Sequence, residues 1–115
     1  MTKTALEVAT EALRQIKVVG MSENASPEDY SRTKAHLDDL FETLSTTHEL
    51  ALTWTVETVP NGAFLPLARM LAGSIAGAYG QTEFLGLYRV GLRDIRAFEL
   101  GKMKTDNQPI PAVYF

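Results

Sequence analysis

Residues 64–79 read Phe-Leu-Pro-Leu-Ala-Arg-Met-Leu-Ala-Gly-Ser-Ile-Ala-Gly-Ala-Tyr, and Arg69 is the only charged side chain among them. A helix at a protein surface alternates an apolar stripe with a charged face. This run is apolar or small on every side, which predicts a buried central helix. Pro66 fits its first turn, where a missing N–H costs nothing. Gly80 marks its end, where a left-handed cap is wanted. Ala68, Ala72 and Ala76 fall on one line, four residues apart, and Gly73 and Gly77 on a neighbouring line. Such ridges admit another helix backbone at close range. That neighbour is either part of the same core or part of another subunit.

A chain of 115 residues holds one core of this kind, without room for a deep cleft between domains. Hydrophobic residues make up 45%, so the chain is globular in composition. Cysteine is absent, which removes disulfides and thiolate metal sites. The net charge of −3 weighs against a free-standing nucleic-acid binder. That charge is divided unevenly. Residues 1–60 carry ten acids against five Lys/Arg, and residues 61–115 carry four against six. One end is expected to be acidic and the other mildly basic, which suits stacking on a polar partner or on a second copy. Residues 1–20 lack the apolar core of a signal peptide, and the run at 64–79 is too short to span a bilayer. The expectation is a soluble protein.

Four helices and one extended segment are expected, in a mainly α domain over residues 1–101. Thr4-Ala-Leu-Glu7 is a capping box. Leu6, Ala9, Leu13 and Ile16, with Ala5 and Ala12, form the apolar stripe of a first helix ending near Val18–Val19, with Gly20 as its stop. Met21 to Ser26 reads as a polar loop. Ser26-Pro27-Glu28-Asp29 opens a second helix, with Tyr30, Leu37, Leu40, Phe41 and Leu44 inward and Asp38, Asp39 and Glu42 outward. Ser45 to His48 frays it. Leu52 to Val59 alternates with period two, placing Leu52, Trp54 and Val56 on one face of a short strand. An unpaired strand needs a partner, either the C-terminal tail or another chain. Pro60-Asn61-Gly62 turns into the central helix.

Thr82 and Glu83 open a last helix with Leu85, Tyr88, Leu92, Ile95 and Phe98 inward. Gly86 and Gly91 weaken it by about 1 kcal/mol each, and Gly101 stops it. Arg89, Arg93 and Arg96 share one cationic face, with Asp94 and Glu99 as available local partners. Residues 102–115 read as an extended C-terminal arm, because Pro109 and Pro111 oppose helix. The arm ends in Val113-Tyr114-Phe115, an apolar cluster suited to docking on another subunit or on its own core.

No constellation for catalysis stands out. His36 and His48 lack ligand-spaced companions for a metal. Asp38 and Asp39 point about 100° apart on a helix and form no acid/base dyad. Ser74 lacks a nucleophile elbow and an activating His. No glycine-rich phosphate loop is present. The chain is expected to be no enzyme, with no cofactor and no metal. The residues expected to matter are those of a partner or subunit interface: Arg89, Arg93, Arg96, Asp38, Asp39, Glu42, Trp54, Val113, Tyr114 and Phe115.

The order of segments resembles a known family. It comprises the opening Ala12-Leu-Arg-Gln-Ile-Lys-Val-Val-Gly20, the Pro27-Glu-Asp-Tyr30 start and the Leu37-Asp-Asp-Leu-Phe-Glu-Thr-Leu44 helix. A Trp-bearing extended stretch and Pro60-Asn-Gly-Ala-Phe-Leu-Pro-Leu-Ala-Arg-Met-Leu-Ala72 follow. Over about residues 5–100 this is similar to the head-to-tail connector adaptors, or head-completion proteins, of tailed bacteriophages. The resemblance implies a structural virion protein, made in the host cytoplasm and placed at the head–tail junction. It implies a homo-oligomeric ring, commonly a dodecamer, bound to the portal protein and to a tail or further connector protein. Packaged DNA would pass through its channel without sequence-specific binding, and no membrane is involved. The tail after Gly101 has no residue-by-residue match. A second reading is a small helical DNA-binding regulator, with the arginine face on phosphates and Gly80-Gln81 as the tight turn before a recognition helix. A third, a small enzyme, has no residue in its favour.

Overall fold

The computed structural model describes residues 2–18, 20, 25–50, 52–80 and 84–106, with side chains as far as Gly101. The order is β1 (Thr2–Lys3), α1 (Ala5–Gln15), α2 (Pro27–Thr46), β2 (Val59–Pro60), α3 (Asn61–Ile75), a 3-10 turn (Ala76–Tyr79) and α4 (Leu87–Asp106). The architecture is mainly α, four helices with one small antiparallel sheet. α3 is its hub, packed against α1, α2 and α4.

α1 begins as its capping box requires. The Thr4 hydroxyl accepts from the Glu7 N–H (3.2 Å), and the Glu7 carboxylate accepts from the Thr4 N–H (2.8 Å). This second bond, to the backbone of Thr4, is what mainly holds the Glu7 carboxyl below its ordinary value of 4.5. The Glu57 carboxylate accepts from the Ala5 N–H (3.0 Å), so an acid distant in sequence satisfies another free donor of the first turn. The buried line is Ala5, Val8, Ala9, Ala12, Leu13 and Ile16. Leu6, expected on that line, lies about 100° from Ala5 and is 43% exposed. The helix stops at Gln15, earlier than Val18–Val19. Lys17 takes the left-handed conformation (φ 64°). Its N–H donates to the Arg14 carbonyl and that of Val18 to the Leu13 carbonyl, a Schellman ending built without glycine.

α2 starts at Ser26, whose hydroxyl accepts from the Asp29 N–H, with Pro27 in the first turn. It buries Thr33, Leu37, Leu40 and Leu44. Tyr30 and Phe41 are half-buried. The hydroxyls of Thr43, Ser45 and Thr46 donate back to carbonyls four residues earlier, and the helix ends there.

Leu52 to Val59 does not form the expected strand. Only Val59–Pro60 pairs, and its partner is the chain's own N-terminal segment, with Thr2 opposite Pro60 and Lys3 opposite Val59. β1 has two residues and offers no ladder beyond them. Upstream, hydroxyls replace a strand partner. Thr58 Oγ1 accepts from the Thr55 N–H, and Thr55 Oγ1 from the Glu57 N–H, which closes a turn. The inward and outward faces survive nonetheless. Trp54 is buried, Leu52 and Val56 are half-buried, and Thr53, Thr55 and Glu57 are exposed.

α3 starts at Asn61, three residues before the apolar run, so Pro66 lies inside the helix rather than in its first turn. Its missing N–H leaves the Gly62 carbonyl without the usual helical bond. Leu67, Ala68, Met70, Leu71, Ala72 and Ile75 are buried. Leu65, Ser74, Gly77 and Ala78 are exposed, so the helix is central without being enclosed. Gly80 ends the 3-10 turn in the left-handed region (φ 71°), as expected.

α4 runs antiparallel to α3 at very short range. A Cβ built on Gly73 would meet the Tyr88 backbone nitrogen. One built on Gly91 would stand 2.5 Å from the Pro66 carbonyl oxygen and 2.6 Å from the Met70 nitrogen. The small residues of the central helix thus admit α4 of the same chain. Gly91 is a packing residue, and the helix continues through Gly101 to Asp106. The expected stop at Gly101 is therefore incorrect. Leu85, expected inward, is 50% exposed. Val19, Met21 to Asn24, Thr82, Glu83, and Val113, Tyr114 and Phe115 of the arm lie outside the described residues.

Candidate functional site

The interface residues expected from sequence fall into three groups. The first is the outward line of α4. Gly91, Ile95 and Glu99 face the core at helical spacing, and the opposite side carries Arg89, Arg93 and Arg96, all exposed. Arg93 pairs with its neighbour Asp94 (3.2 Å), which also receives Arg69 (3.4 Å). Arg96 reaches His48 Nδ1 (3.2 Å), while His48 Nε2 sits 3.2 Å from the Tyr88 hydroxyl. With Arg96 donating, Nδ1 is an acceptor, so neutral His48 carries its proton on Nε2 and donates to Tyr88. Arg89 makes no ion pair among the described residues. Val90 (36% exposed) and Leu100 (59%) stand on the same outward side.

The second group is the outward line of α2. Asp38, Asp39 and Glu42 are exposed on the side away from Leu37, Leu40 and Leu44. Lys34 donates to Asp38 (3.1 Å), and this bond raises the lysine above its ordinary value. Asp39 and Glu42 hold no ion pair among the described residues, and none joins α2 acids to α4 arginines.

Trp54 forms the third group, and the structure places it inside the protomer. It is 6% exposed, its ring meets Phe41 edge-on with centroids 5.5 Å apart, and its indole N–H donates to Glu99 (3.0 Å). Glu99 is therefore a buried acceptor for the indole, and among the described residues no ion pair joins it to Arg89, Arg93 or Arg96. Sequence reading offered Glu99 as a local partner of the arginines and Glu57 as an outward residue, and missed the roles both have. The only trace of Glu99 was its place four residues after Ile95, on the inward line.

A groove of about 330 Å³ runs beside α1, lined by Lys3, Leu6, Glu7, Thr10, Glu11, Arg14 and Phe64. Its acids are already engaged, Glu7 with Thr4 and Glu11 with Arg14 and Gln15. Among the described residues no three His, Asp or Glu side chains gather where an ion could be held, and no helix is long and apolar enough to cross a membrane. Ser74 lies exposed on α3. α4 lies alongside α3, whereas a helix-turn-helix sets its two helices at about 90–120°. The structure therefore offers two outward charged surfaces of opposite sign on different helices. Searches against protein-family models, curated proteins and solved structures give no match to this chain.

Proposed function

We propose that the chain is a structural subunit of a tailed-bacteriophage head-to-tail connector. On this reading copies join into a ring, commonly twelve, on the portal below a filled head. The ring closes the head, continues the DNA channel and offers a platform to a tail or further connector protein. The observation that carries the reading is the outward side of α4. Three arginines, Val90 and Leu100 are presented to the outside by a helix whose opposite side is locked onto α3. Val90 and Leu100 add apolar area beside the cations, a combination suited to the surface of a partner. Ring formation needs two different faces per subunit, and α2 and α4 supply them.

The segment 107–115 carries Val113, Tyr114 and Phe115 as a docking element for a neighbour or the portal. Burying three such side chains contributes several kcal/mol, at about 25 cal/mol per Å² of apolar surface.

Sedimentation velocity and negative-stain imaging of the purified chain, alone and with the portal protein of the same virion, test the reading. The expected result is closed rings with a central channel, or recruitment to the portal. A compact monomer at every concentration that ignores the portal overturns it.

A further inference from the structure

We infer that the arginine line of α4 docks on the acidic line of α2 of the next copy. This rests on the ring reading and names the contact that closes it. Each line lies opposite the buried side of its own helix, so both face outward from one core. No ion pair joins them within a protomer among the described residues, and Arg89, Asp39 and Glu42 keep side chains without ionic partners. The spacings agree. Arg89 and Arg93 are four residues apart, as are Asp38 and Glu42. Arg93 and Arg96 are three apart, as are Asp39 and Glu42, which is a second register. At about 1.5 Å rise per residue, two helices laid side by side bring two such pairs into line at once, Arg89 and Arg93 against Asp38 and Glu42.

The contact is heterologous, because the two surfaces belong to different helices. Such a contact makes a ring when its rotation closes. Opposed charges set the register and speed the encounter. Val90 and Leu100, beside the arginines, contribute the apolar area that exposed ion pairs lack. Lys34 and Asp94 lie at the edges and already hold Asp38 and Arg93, so Arg89, Asp39 and Glu42 are the groups with most to gain.

The test is a charge exchange in the full chain. One triple variant carries Arg89→Glu, Arg93→Glu and Arg96→Glu, and the other Asp38→Lys, Asp39→Lys and Glu42→Lys. Each presents like charges on both faces, so each self-associates at least tenfold more weakly than the wild type. An equimolar mixture regains assembly, because in an alternating order each contact joins either two reversed faces or two native ones, and both pairings are of opposite sign. Wild-type assembly also weakens between about 50 mM and about 500 mM salt, as screening predicts. Circular dichroism checks the fold, and the single reversals Arg89→Glu and Glu42→Lys repeat the measurement if a triple variant does not fold. Wild-type rings that persist in both variants, or a mixture that does not recover, overturn the contact and leave the connector reading intact. A wild type that associates neither alone nor on the portal overturns both.

Discussion

The sharpest consequence of the fold is that one substitution, made twice in α4, has opposite effects. Replacing glycine by alanine inside a helix stabilises by about 0.5–1 kcal/mol through backbone entropy and propensity. At Gly101 the new methyl group meets nothing within 4 Å, so Gly101→Ala gains that amount. At Gly91 the methyl group would stand 2.5 Å from the Pro66 carbonyl oxygen and 2.6 Å from the Met70 nitrogen. Both are backbone atoms and cannot rotate aside. α4 must retreat by several tenths of an ångström, loosening Ile95 and the Gly73–Tyr88 contact as it goes. Overpacking of this kind costs about 1–3 kcal/mol, which outweighs the propensity gain and leaves Gly91→Ala about 1–2 kcal/mol less stable.

For a chain of this length, 1 kcal/mol corresponds to a shift in Tm of about 3–5 °C. Thermal and urea unfolding by circular dichroism should therefore move Gly101→Ala up by a few degrees and Gly91→Ala down by about 3–10 °C. Gly73→Ala should also fall. The double variant Gly73→Ala/Gly91→Ala should fall by less than the sum, because one retreat of α4 relieves both clashes. Equal shifts at 91 and 101, or a stabilised Gly91→Ala, would refute the close α3–α4 contact and the continuation of the helix past Gly101.

Thr33 is fully buried and its hydroxyl has no hydrogen-bond partner among the described residues; Thr33→Val, of equal shape, should stabilise by about 1–2 kcal/mol in urea unfolding, and a loss of stability would reveal a further partner. Trp54→Phe removes the donor to buried Glu99 and should cost about 1–3 kcal/mol, more than Trp54→Phe combined with Glu99→Gln relative to Glu99→Gln alone. Glu7 has a folded pKa below its ordinary 4.5, chiefly through its bond to the Thr4 backbone. Its contribution is present above pH 4.5 and disappears as pH falls through the lowered value, so Glu7→Gln should flatten the stability–pH curve between neutral and pH 3. Tyr79→Phe removes the bond from the Tyr79 hydroxyl to Asp29 (2.9 Å) that ties the end of the 3-10 turn to α2, and should lower stability by about 1 kcal/mol; no change would mean that solvent satisfies Asp29 equally well.

The helices were legible because their signals are local. Ser26 with Pro27, Thr4 with Glu7, and Gly80 each act through bonds within a few residues, and the structure shows all three at work. What escaped notice depends on partners far along the chain. Glu57 caps α1 across fifty-two residues, and Glu99 meets Trp54 across forty-five. Nothing near either acid announces a buried or capping role. The period of Leu52 to Val59 correctly separated inner from outer residues but not strand from irregular backbone. Alternation records burial, while a ladder also needs a second strand long enough to pair. Glycine misled for a related reason. Gly91 and Gly101 have the same local propensity, and only the position of α3 decides which one is a contact and which one is solvent-facing.

The same packing narrows what remains for assembly. A small-residue ridge on a central helix suits either an internal helix or a neighbour, and here α4 occupies it along Gly73 and opposite Pro66 to Met70. Trp54, the other large candidate, is enclosed by Phe41 and Glu99. Any association through the described residues must therefore use surfaces that the fold leaves outside, and those are charged with apolar flanks rather than broad and oily. Contacts of that kind are individually weak and sensitive to salt. They become stable when many copies close on themselves, because loss of a subunit then requires two contacts to break together. A ring assembled this way would form steeply with concentration and dissolve in high salt while each subunit stays folded, since the α3–α4 core contains no part of the seam.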